Sequence, residues 1–157
     1  MVKITRHSGI YTLESEQFLK ISLKEAWEFF SSPTNLTRIT PEYMGFEITS
    51  PYEERAFPGQ IITYKIGVLP GVKSNWVTEI TQVVENQMFV DEQRFGPYAM
   101  WHHEHWFTET DDGVMMFDRV SYKLPFGRLG RWFHFLIEKR LIAIFTFRYK
   151  ILASLFS

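Results

Sequence analysis

The amino-acid sequence predicts an α+β fold in which a curved antiparallel sheet of about seven strands wraps around a long C-terminal helix. Between residues 43 and 123 the chain is rich in β-branched and aromatic segments separated by short turns, which is typical of an antiparallel meander. Helix-start signals occur earlier, at Ser22 and Ser32, and an apolar periodicity of three and four residues follows Pro125. A length of 157 residues suits one domain, so we expect residues 1–157 to form a single folded unit.

The N-terminal part is predicted to contain one strand and two short helices. Tyr11–Ile21 has the composition of a strand, and Ser22–Glu25 offers a capping box in which the serine accepts from first-turn amides and the glutamate reaches back. This helix is expected to run to about Ser31. Ser32-Pro33 begins a second helix because proline suits the first helical position, and Thr40-Pro41 ends it because a residue before proline avoids the helical conformation.

The middle of the chain is predicted to supply the remaining strands. These lie near residues 43–50, 60–68, 72–85, 87–95, 98–110 and 113–123. Short turns separate most of them, at Phe57–Gln60, Leu69–Val72, Gly96-Pro97 and Asp111–Gly113. Connections this short join neighbouring antiparallel strands and leave no room for the crossover helices of a parallel sheet.

The C-terminal segment is predicted to be one long amphipathic helix, with Gly127 and Gly130 in its entry turn. Its apolar residues fall at helical spacing: Leu129, Trp132, Phe133, Leu136, Ile137, Leu141, Ile144, Phe145, Ile151, Leu152 and Leu155. A twisted sheet of this size is concave, and one long helix in the concave face buries both elements. A cavity can remain where the helix and the sheet diverge.

Composition excludes several functional classes. The chain has no cysteine, so disulfide frameworks, thiolate metal sites and cysteine nucleophiles are ruled out. No apolar run approaches the roughly 20 residues that span a bilayer, and the N-terminus lacks the pattern of a secretory signal, so we expect a cytoplasmic location. The aromatic fraction of 17% exceeds the need of a minimal core and predicts rings that line a cavity.

Charge is distributed unevenly along the chain. The net charge is −1, but Lys123–Ser157 carries seven Lys and Arg residues against the single acid Glu138, so this segment is +6 and the first 122 residues are −7. The basic segment could meet an anionic lipid or ligand, or its charges could decorate the outer face of a core helix. A nucleic-acid role is not expected, because the aromatic residues fall at predicted core positions and the overall charge is not basic.

The stretch from Trp101 to Phe107 contains the strongest candidates for site residues. Strand alternation places Trp101, His103, His105 and Phe107 on one face, which we interpret as the cavity face, with the intervening residues on the other. Two imidazoles at this spacing could bind a metal ion if Asp91 or Asp118 joined them from neighbouring strands. Such a pair more often hydrogen-bonds to a carboxylate, so we expect neither a metal ion nor a cofactor. An acid–base alternative has one of the histidines transfer a proton while a carboxylate holds its tautomer.

Further wall residues are expected on the other strands and on the helix. Asp118 and Arg119 are adjacent on one strand, so only one of them can face the cavity, and an inward Asp118 needs a histidine or arginine partner. The full set of predicted ligand-binding residues is Tyr64, Trp76, Asp91, Phe95, Trp101, His103, His105, Phe107, Asp118, Tyr122 and Phe133. Trp27, Phe29 and Phe30 are instead expected to pack beneath the first helix.

Several motifs together resemble a known superfamily. They are Ala26–Ser31, Ser32–Leu36, Ile39–Pro41, Gly45–Ile48, Gly96–Tyr98, Trp101, His103, His105, Phe107, Asp118–Val120, Tyr122 and Leu124–Gly127. From Phe18 to about Tyr149 the sequence looks like the START/Bet v1-like helix-grip superfamily, also called SRPBCC, and its polyketide-cyclase/dehydrase and lipid-transport group. The resemblance implies a sheet that grips the C-terminal helix around an apolar cavity. It does not select a function, because this fold hosts carriers, receptors, cyclases and chaperone activators.

Three functional hypotheses follow. The first is binding of a lipid, isoprenoid or polyketide-like molecule, with His103, His105 and Asp118 fixing its polar end. The second is a cyclase, dehydrase or isomerase that uses the same histidines as general acid and base. The third is an interaction protein whose basic C-terminal helix docks on a partner or on an anionic membrane surface.

Overall fold

The computed structural model describes residues 2–69 and 71–156, and it confirms the α+β fold with a curved antiparallel sheet and a long C-terminal helix. The strands are β1 Lys3–His7, β2 Ile10–Leu19, β3 Glu47–Ile48, β4 Ile61–Leu69, β5 Val72–Val84, β6 Met88–Phe95, β7 Met100–Thr110 and β8 Gly113–Lys123. The helices are α1 Leu23–Phe30, α2 Pro33–Arg38, α3 Gly127–Trp132 and α4 His134–Leu155, with a 3₁₀ turn at Glu42–Met44. The spatial order is β1-β2-β8-β7-β6-β5-β4-β3, so β3 to β8 form the predicted meander.

The N-terminus forms a strand that the sequence did not predict. β1 pairs with β2 through the two-residue turn Ser8-Gly9, in which both residues have positive φ, 50° and 83°. This is the geometry of the tight hairpin turns that match strand twist. The sheet therefore has eight strands, and the two short helices follow its second strand.

The segment predicted as a strand at 43–50 is mostly not extended. It contains part of the 3₁₀ turn, then Gly45 in the left-handed conformation with φ 50°, and only the two-residue strand β3. The left-handed residue turns the chain sharply, so the strand can begin only after it.

The predicted capping box fixes the start of α1. Ser22 Oγ accepts from the Glu25 N–H at 3.2 Å, while the Ser22 N–H donates to Glu25 Oε2 at 2.9 Å. Trp27, one turn later, packs edge-on against the rings of Phe89 and Phe107. The helix thereby closes one end of the concave face of the sheet.

The predicted C-terminal helix is divided in two. Gly127 has a positive φ of 52°, as an entry turn requires, and it begins the short helix α3. Gly130 lies inside α3 rather than in the turn, and a Cβ there would overlap the Pro125 carbonyl oxygen, so the position requires glycine. α4 then begins at His134 and runs to Leu155.

Polar bonds connect α4 to strands on opposite sides of the sheet. Gln17 of β2 donates from Nε2 to the Tyr149 carbonyl at 2.9 Å, and Arg140 of α4 donates from Nη2 to the Gly67 carbonyl of β4 at 2.7 Å. Within residues 2–69 and 71–156, no helix is long and apolar enough to cross a membrane.

Candidate functional site

A cavity of about 460 Å³ lies between α4 and the sheet, within the roughly 300–1,000 Å³ typical of small-molecule sites. Strands β4 to β7 supply one wall, with Ile62, Tyr64, Ile66, Trp76, Thr78, Ile80, Phe89, Asp91, Trp101, His103 and His105. The opposite wall is one face of α4, with Ile137, Arg140, Leu141, Ile144, Phe145 and Arg148. The helical residues recur at three- and four-residue steps, which is the spacing that places side chains on one face. Most of the side chains on the two walls are aliphatic or aromatic, so the cavity is largely apolar.

Four ionisable side chains form a cluster at one place on this wall. Asp91 lies on β6, His103 and His105 on β7, and Asp118 on β8, all on the same face of three adjacent strands. The strand register places Asp91 directly opposite His103, and His105 directly opposite Asp118. We call these four residues the His–Asp cluster.

Each histidine of the His–Asp cluster contacts both carboxylates. Asp118 Oδ1 lies 3.0 Å from His103 Nε2, and Asp91 Oδ2 lies 2.7 Å from His105 Nε2, and both are hydrogen bonds. The second contacts are His103 Nδ1 to Asp91 Oδ2 at 3.4 Å and His105 Nδ1 to Asp118 Oδ1 at 3.0 Å. The last of these lacks hydrogen-bond alignment, so it is electrostatic. The two imidazole rings lie 3.7 Å apart, centroid to centroid.

The cluster keeps its carboxylates ionised although they are buried. Burial alone would raise the pKa of Asp118, but the imidazoles of His103 and His105 hold that pKa well below its usual range. The pKa of Asp91 is likewise lowered, against its burial, by the two histidines and by the positive charge of Arg148. Both carboxylates are therefore negative at neutral pH.

The two histidines differ in their affinity for a proton. Burial and the neighbouring charge of His105 lower the pKa of His103, whereas the carboxylates of Asp118 and Asp91 outweigh burial and raise the pKa of His105. A proton is therefore held more readily by His105 than by His103. With a proton on His105, the guanidinium of Arg148 completes a balance of two negative and two positive charges.

Besides His105 Nδ1, described above, two buried polar atoms on the cavity wall have no hydrogen-bond partner among the described residues. Gln60 donates from Nε2 to the Glu53 carbonyl at 3.3 Å, which leaves its Oε1 as a free acceptor. Arg148 Nε is a free donor, on a side chain that is only 9% exposed and whose guanidinium lies over the Phe145 ring. Buried polar atoms without partners are costly, so both atoms could bond to a polar group that enters the cavity.

Most of the residues predicted from the sequence are brought together. The structure places Tyr64, Trp76, Asp91, Trp101, His103, His105 and Phe133 on the cavity wall. Asp118 faces inward behind the two histidines and borders a second space of about 10 Å³, enough for one water molecule, next to Arg148. Arg119 faces the other side of the sheet, where it bonds to Glu14 at 3.2 Å.

Phe95, Phe107 and Tyr122 do not line the cavity. Phe95 is 64% exposed, because the β5–β6 register shifts between Val77 and Thr78 and breaks the alternation before Phe95 is reached. Phe107 is on the predicted face, but its ring is buried in the core beside Trp27.

Tyr122 is fully buried at the other end of the sheet. Its hydroxyl bonds to His134 Nε2 at 2.9 Å, and its ring packs near Tyr11 and Tyr98. It therefore helps to anchor the start of α4 instead of contacting the cavity.

Sequence reasoning missed several wall residues. Phe30 lines the cavity, although it was expected to pack beneath α1. Gln60 follows the Pro58-Gly59 turn and gave no recognisable signal. Arg148 could have been found, because it continues the inward series of Leu141 and Phe145 and so puts a charge on the apolar face of α4.

Comparison with known proteins extends the description of the fold. No family model and no curated protein matches the chain by sequence. By structure the chain is similar to protein CV1439 from Chromobacterium violaceum, with TM-score 0.70 and 13% identity over 92% of this chain and 96% of that one. It is also similar to protein Ms6760 from Mycobacterium smegmatis, with TM-score 0.68 and 17% identity over 99% and 97% of the two chains.

A third solved structure ties this architecture to a named fold. The Bet v1 allergen Ara h 8.0201 has TM-score 0.59 and 17% identity, over 93% of this chain and 99% of that one. At these identities the likeness concerns the fold alone. The chain has the Bet v1-like helix-grip fold that its sequence motifs predicted.

Proposed function

We propose that the protein binds a small, mostly apolar molecule in the cavity between α4 and the sheet, with the polar end of that molecule at the His–Asp cluster. One observation carries this proposal. A cavity of about 460 Å³ has a wall that is apolar except at one buried charged region, the His–Asp cluster and Arg148. Mostly apolar pockets with a few fixed polar groups are the usual form of small-molecule sites.

The apolar wall supplies most of the binding free energy. Burying about 300 Å² of apolar ligand surface contributes roughly 7 kcal/mol at about 25 cal/mol per Å². A single hydrogen bond adds only about 1 kcal/mol net, because the same groups bond to water before binding. The cluster therefore determines the orientation of the ligand more than its affinity.

The unpaired polar atoms restrict the chemistry of the polar end. Arg148 Nε offers a donor on the helix side of the cavity, and Gln60 Oε1 offers an acceptor on the sheet side. A hydroxyl, carbonyl or carboxylate group at one end of an apolar molecule would satisfy the donor. We expect ligands of this class to bind more tightly than hydrocarbons of equal size.

Two matched substitutions on α4 test the cavity. Ile144 lines it, whereas Ile142 is 38% exposed on the same helix. Ile144→Trp should fill the space and weaken binding of a fluorescent apolar probe, 1-anilinonaphthalene-8-sulfonate, by about tenfold or more, while Ile142→Trp should leave it unchanged. Equal probe binding by both variants and the wild type would contradict the proposal.

Native mass spectrometry of freshly purified protein, followed by solvent extraction, identifies any bound molecule. A stoichiometric apolar passenger supports a carrier or receptor role. Catalysis by the histidines remains a prediction, and it would need turnover of an added substrate that is lost in His103→Gln.

A second candidate function is peripheral contact with an anionic membrane, favoured by exposed aromatic residues at the cavity. Phe126 and Trp132 are 82% and 84% exposed, Phe135 is also exposed, and Phe126 and Phe133 line the cavity. The surrounding C-terminal segment carries a net charge of +6. Aromatic rings and basic residues together bind anionic interfaces, and this position would let an apolar ligand pass between bilayer and cavity.

Vesicle sedimentation tests this second candidate. Wild-type protein should sediment with phosphatidylcholine vesicles that contain phosphatidylserine, and less with pure phosphatidylcholine or at high salt. Trp132→Ala should reduce sedimentation, whereas Trp106→Ala, which removes a 40% exposed ring from the outer face of β7, should not. Equal effects of the two substitutions would contradict membrane docking through α3.

A further inference from the structure

We propose that Asp91, His103 and His105 bind a divalent transition-metal ion on the cavity wall, with one coordination position directed into the cavity. This goes beyond the proposed function, because it depends on the His–Asp cluster and not on the identity of any apolar ligand. All three side chains line the cavity, so an ion and its additional ligand can both reach them from there.

The positions of the three donor atoms suit a common ion. They all lie within 4.8 Å of one another. Metal–ligand bonds of about 2.1 Å at tetrahedral angles separate two ligand atoms by about 3.4 Å. His103 Nδ1 and Asp91 Oδ2 are already 3.4 Å apart. His105 Nε2 and Asp91 Oδ2 are hydrogen-bonded at 2.7 Å, so this pair must separate by about 0.7 Å when a tetrahedral ion replaces the proton between them.

Asp118 supports both histidines from behind. Its Oδ1 accepts from His103 Nε2–H at 3.0 Å, which fixes the tautomer whose Nδ1 lone pair faces Asp91. The same oxygen lies 3.0 Å from His105 Nδ1, and rotation of that ring would align the two atoms for a hydrogen bond once Nε2 is a metal ligand. A carboxylate bonded to the remote nitrogen of a ligating imidazole is a recurrent support of protein metal sites.

The donor atoms of the His–Asp cluster favour a positive charge at their centre. Two imidazole nitrogens and a carboxylate oxygen converge there, and a proton on His105 can lie between only two of them. One ion can bind all three. The two imidazole rings are 3.7 Å apart, centroid to centroid, and they must tilt apart when both bind one ion.

The donor set selects the class of metal ion. Two imidazoles and one carboxylate suit Zn²⁺, Co²⁺ or Fe²⁺, whereas Ca²⁺ and Mg²⁺ prefer sites made of oxygen alone. With neutral imidazoles, the two carboxylates and Arg148 sum to −1, so a divalent ion leaves +1 in a buried place. An anionic oxygen at the open position, from a carboxylate, an enolate or a hydroxide, would neutralise it.

The test uses EDTA-treated full-length protein with Zn²⁺ and Co²⁺ as probes. Titration calorimetry should show one Zn²⁺ bound per chain, and Co²⁺ should give the visible absorption of a four- or five-coordinate nitrogen and oxygen site. His105→Gln and Asp91→Asn should each weaken binding by at least about tenfold. His102→Gln is the matched control, because His102 lies on the same strand but faces the other side of the sheet, where it bonds to Glu92.

The outcomes are distinguishable from each other and from failure of the cavity proposal. Absence of saturable Zn²⁺ binding, or equal losses in His102→Gln and His105→Gln, would overturn the metal site. Circular dichroism identifies variants that fail to fold. If the variants fail to fold, the Co²⁺ spectrum of the wild-type protein tests the metal site, because the absorption of hexa-aqua Co²⁺ alone would overturn the proposal. Binding of 1-anilinonaphthalene-8-sulfonate by the metal-free protein tests the cavity separately.

Discussion

The two halves of the sheet meet α4 in different ways. On the β2–β8 side the inward residues pack directly on the helix, and Leu13, Val120 and Leu152 have almost no exposed surface. On the β4–β6 side the inward residues are also buried, yet Ile62 and Ile80 line the cavity. Low exposure thus describes a core residue and a cavity-wall residue equally well, although only the core residue has neighbours on every side.

The His–Asp cluster lies at the border between these halves, and breaking it should have the largest effect on stability. Asp118→Asn removes a 3% exposed carboxylate that contacts two imidazoles. Loss of one partner from a buried ionic arrangement costs about 3–5 kcal/mol. Urea unfolding at neutral pH should show this loss in free energy of unfolding. Glu14→Gln, in the outward pair with Arg119, should cost less than about 1 kcal/mol, and similar costs for the two variants would contradict the interpretation.

Truncating one apolar residue in each half tests the comparison directly. Leu152→Ala, on the packed side, should cost about 3 kcal/mol, because it removes buried apolar contacts and opens a cavity. Ile62→Ala should cost about half as much, since one side of Ile62 already faces open space. Denaturant unfolding of both variants gives the two values. A loss for Ile62→Ala as large as that for Leu152→Ala would mean that the two halves are packed equally well.

The two polar bonds between α4 and the sheet should differ in their effect on ligand exchange. Arg140→Met and Gln17→Met each remove one hydrogen bond to a carbonyl, at a cost of about 1 kcal/mol. Only Arg140 lies on the cavity side, so its loss should speed probe dissociation in stopped-flow measurements. Faster probe dissociation in Gln17→Met than in Arg140→Met would contradict the expectation that the Arg140 bond has the larger effect on ligand exchange.

Protonation of His134, on the packed side, should have the smallest effect. Burial lowers the pKa of His134, which stacks on Tyr11 and bonds to the Tyr122 hydroxyl. The unfolded chain therefore takes up a proton more readily, so stability should fall as the pH drops below about 6.5. Unfolding midpoints between neutral and mildly acidic pH should fall less in His134→Gln. An equal fall in both proteins would assign the acid sensitivity to other groups.

The fold could be predicted because its signals are local. Turn dipeptides, the capping box at Ser22 and the helical spacing after Pro125 each depend on a few neighbouring residues. β1 was missed because four of its five residues are exposed, so it shows no buried alternation. Its turn, Ser8-Gly9, was the signal that could have revealed it.

The site could be predicted only in part. Alternation placed His103 and His105 on the cavity face and meander order brought Asp91 and Asp118 to them, because both rules follow from strand geometry. The position of Phe95 depends on a register shift, which arises between two strands and leaves no trace in either one alone.

Direct pairing of Asp91 with His103 and of His105 with Asp118 also bears on how the sheet acquires its strand alignment during folding. A slip of β7 by one residue would turn His102, Glu104 and Trp106 toward the helix and leave both aspartates without their histidines. Docking of α4 on a misaligned sheet would therefore bury carboxylates without their histidine partners, which is costly. The same four side chains that polarise the cavity thus favour the correct register of the central strands.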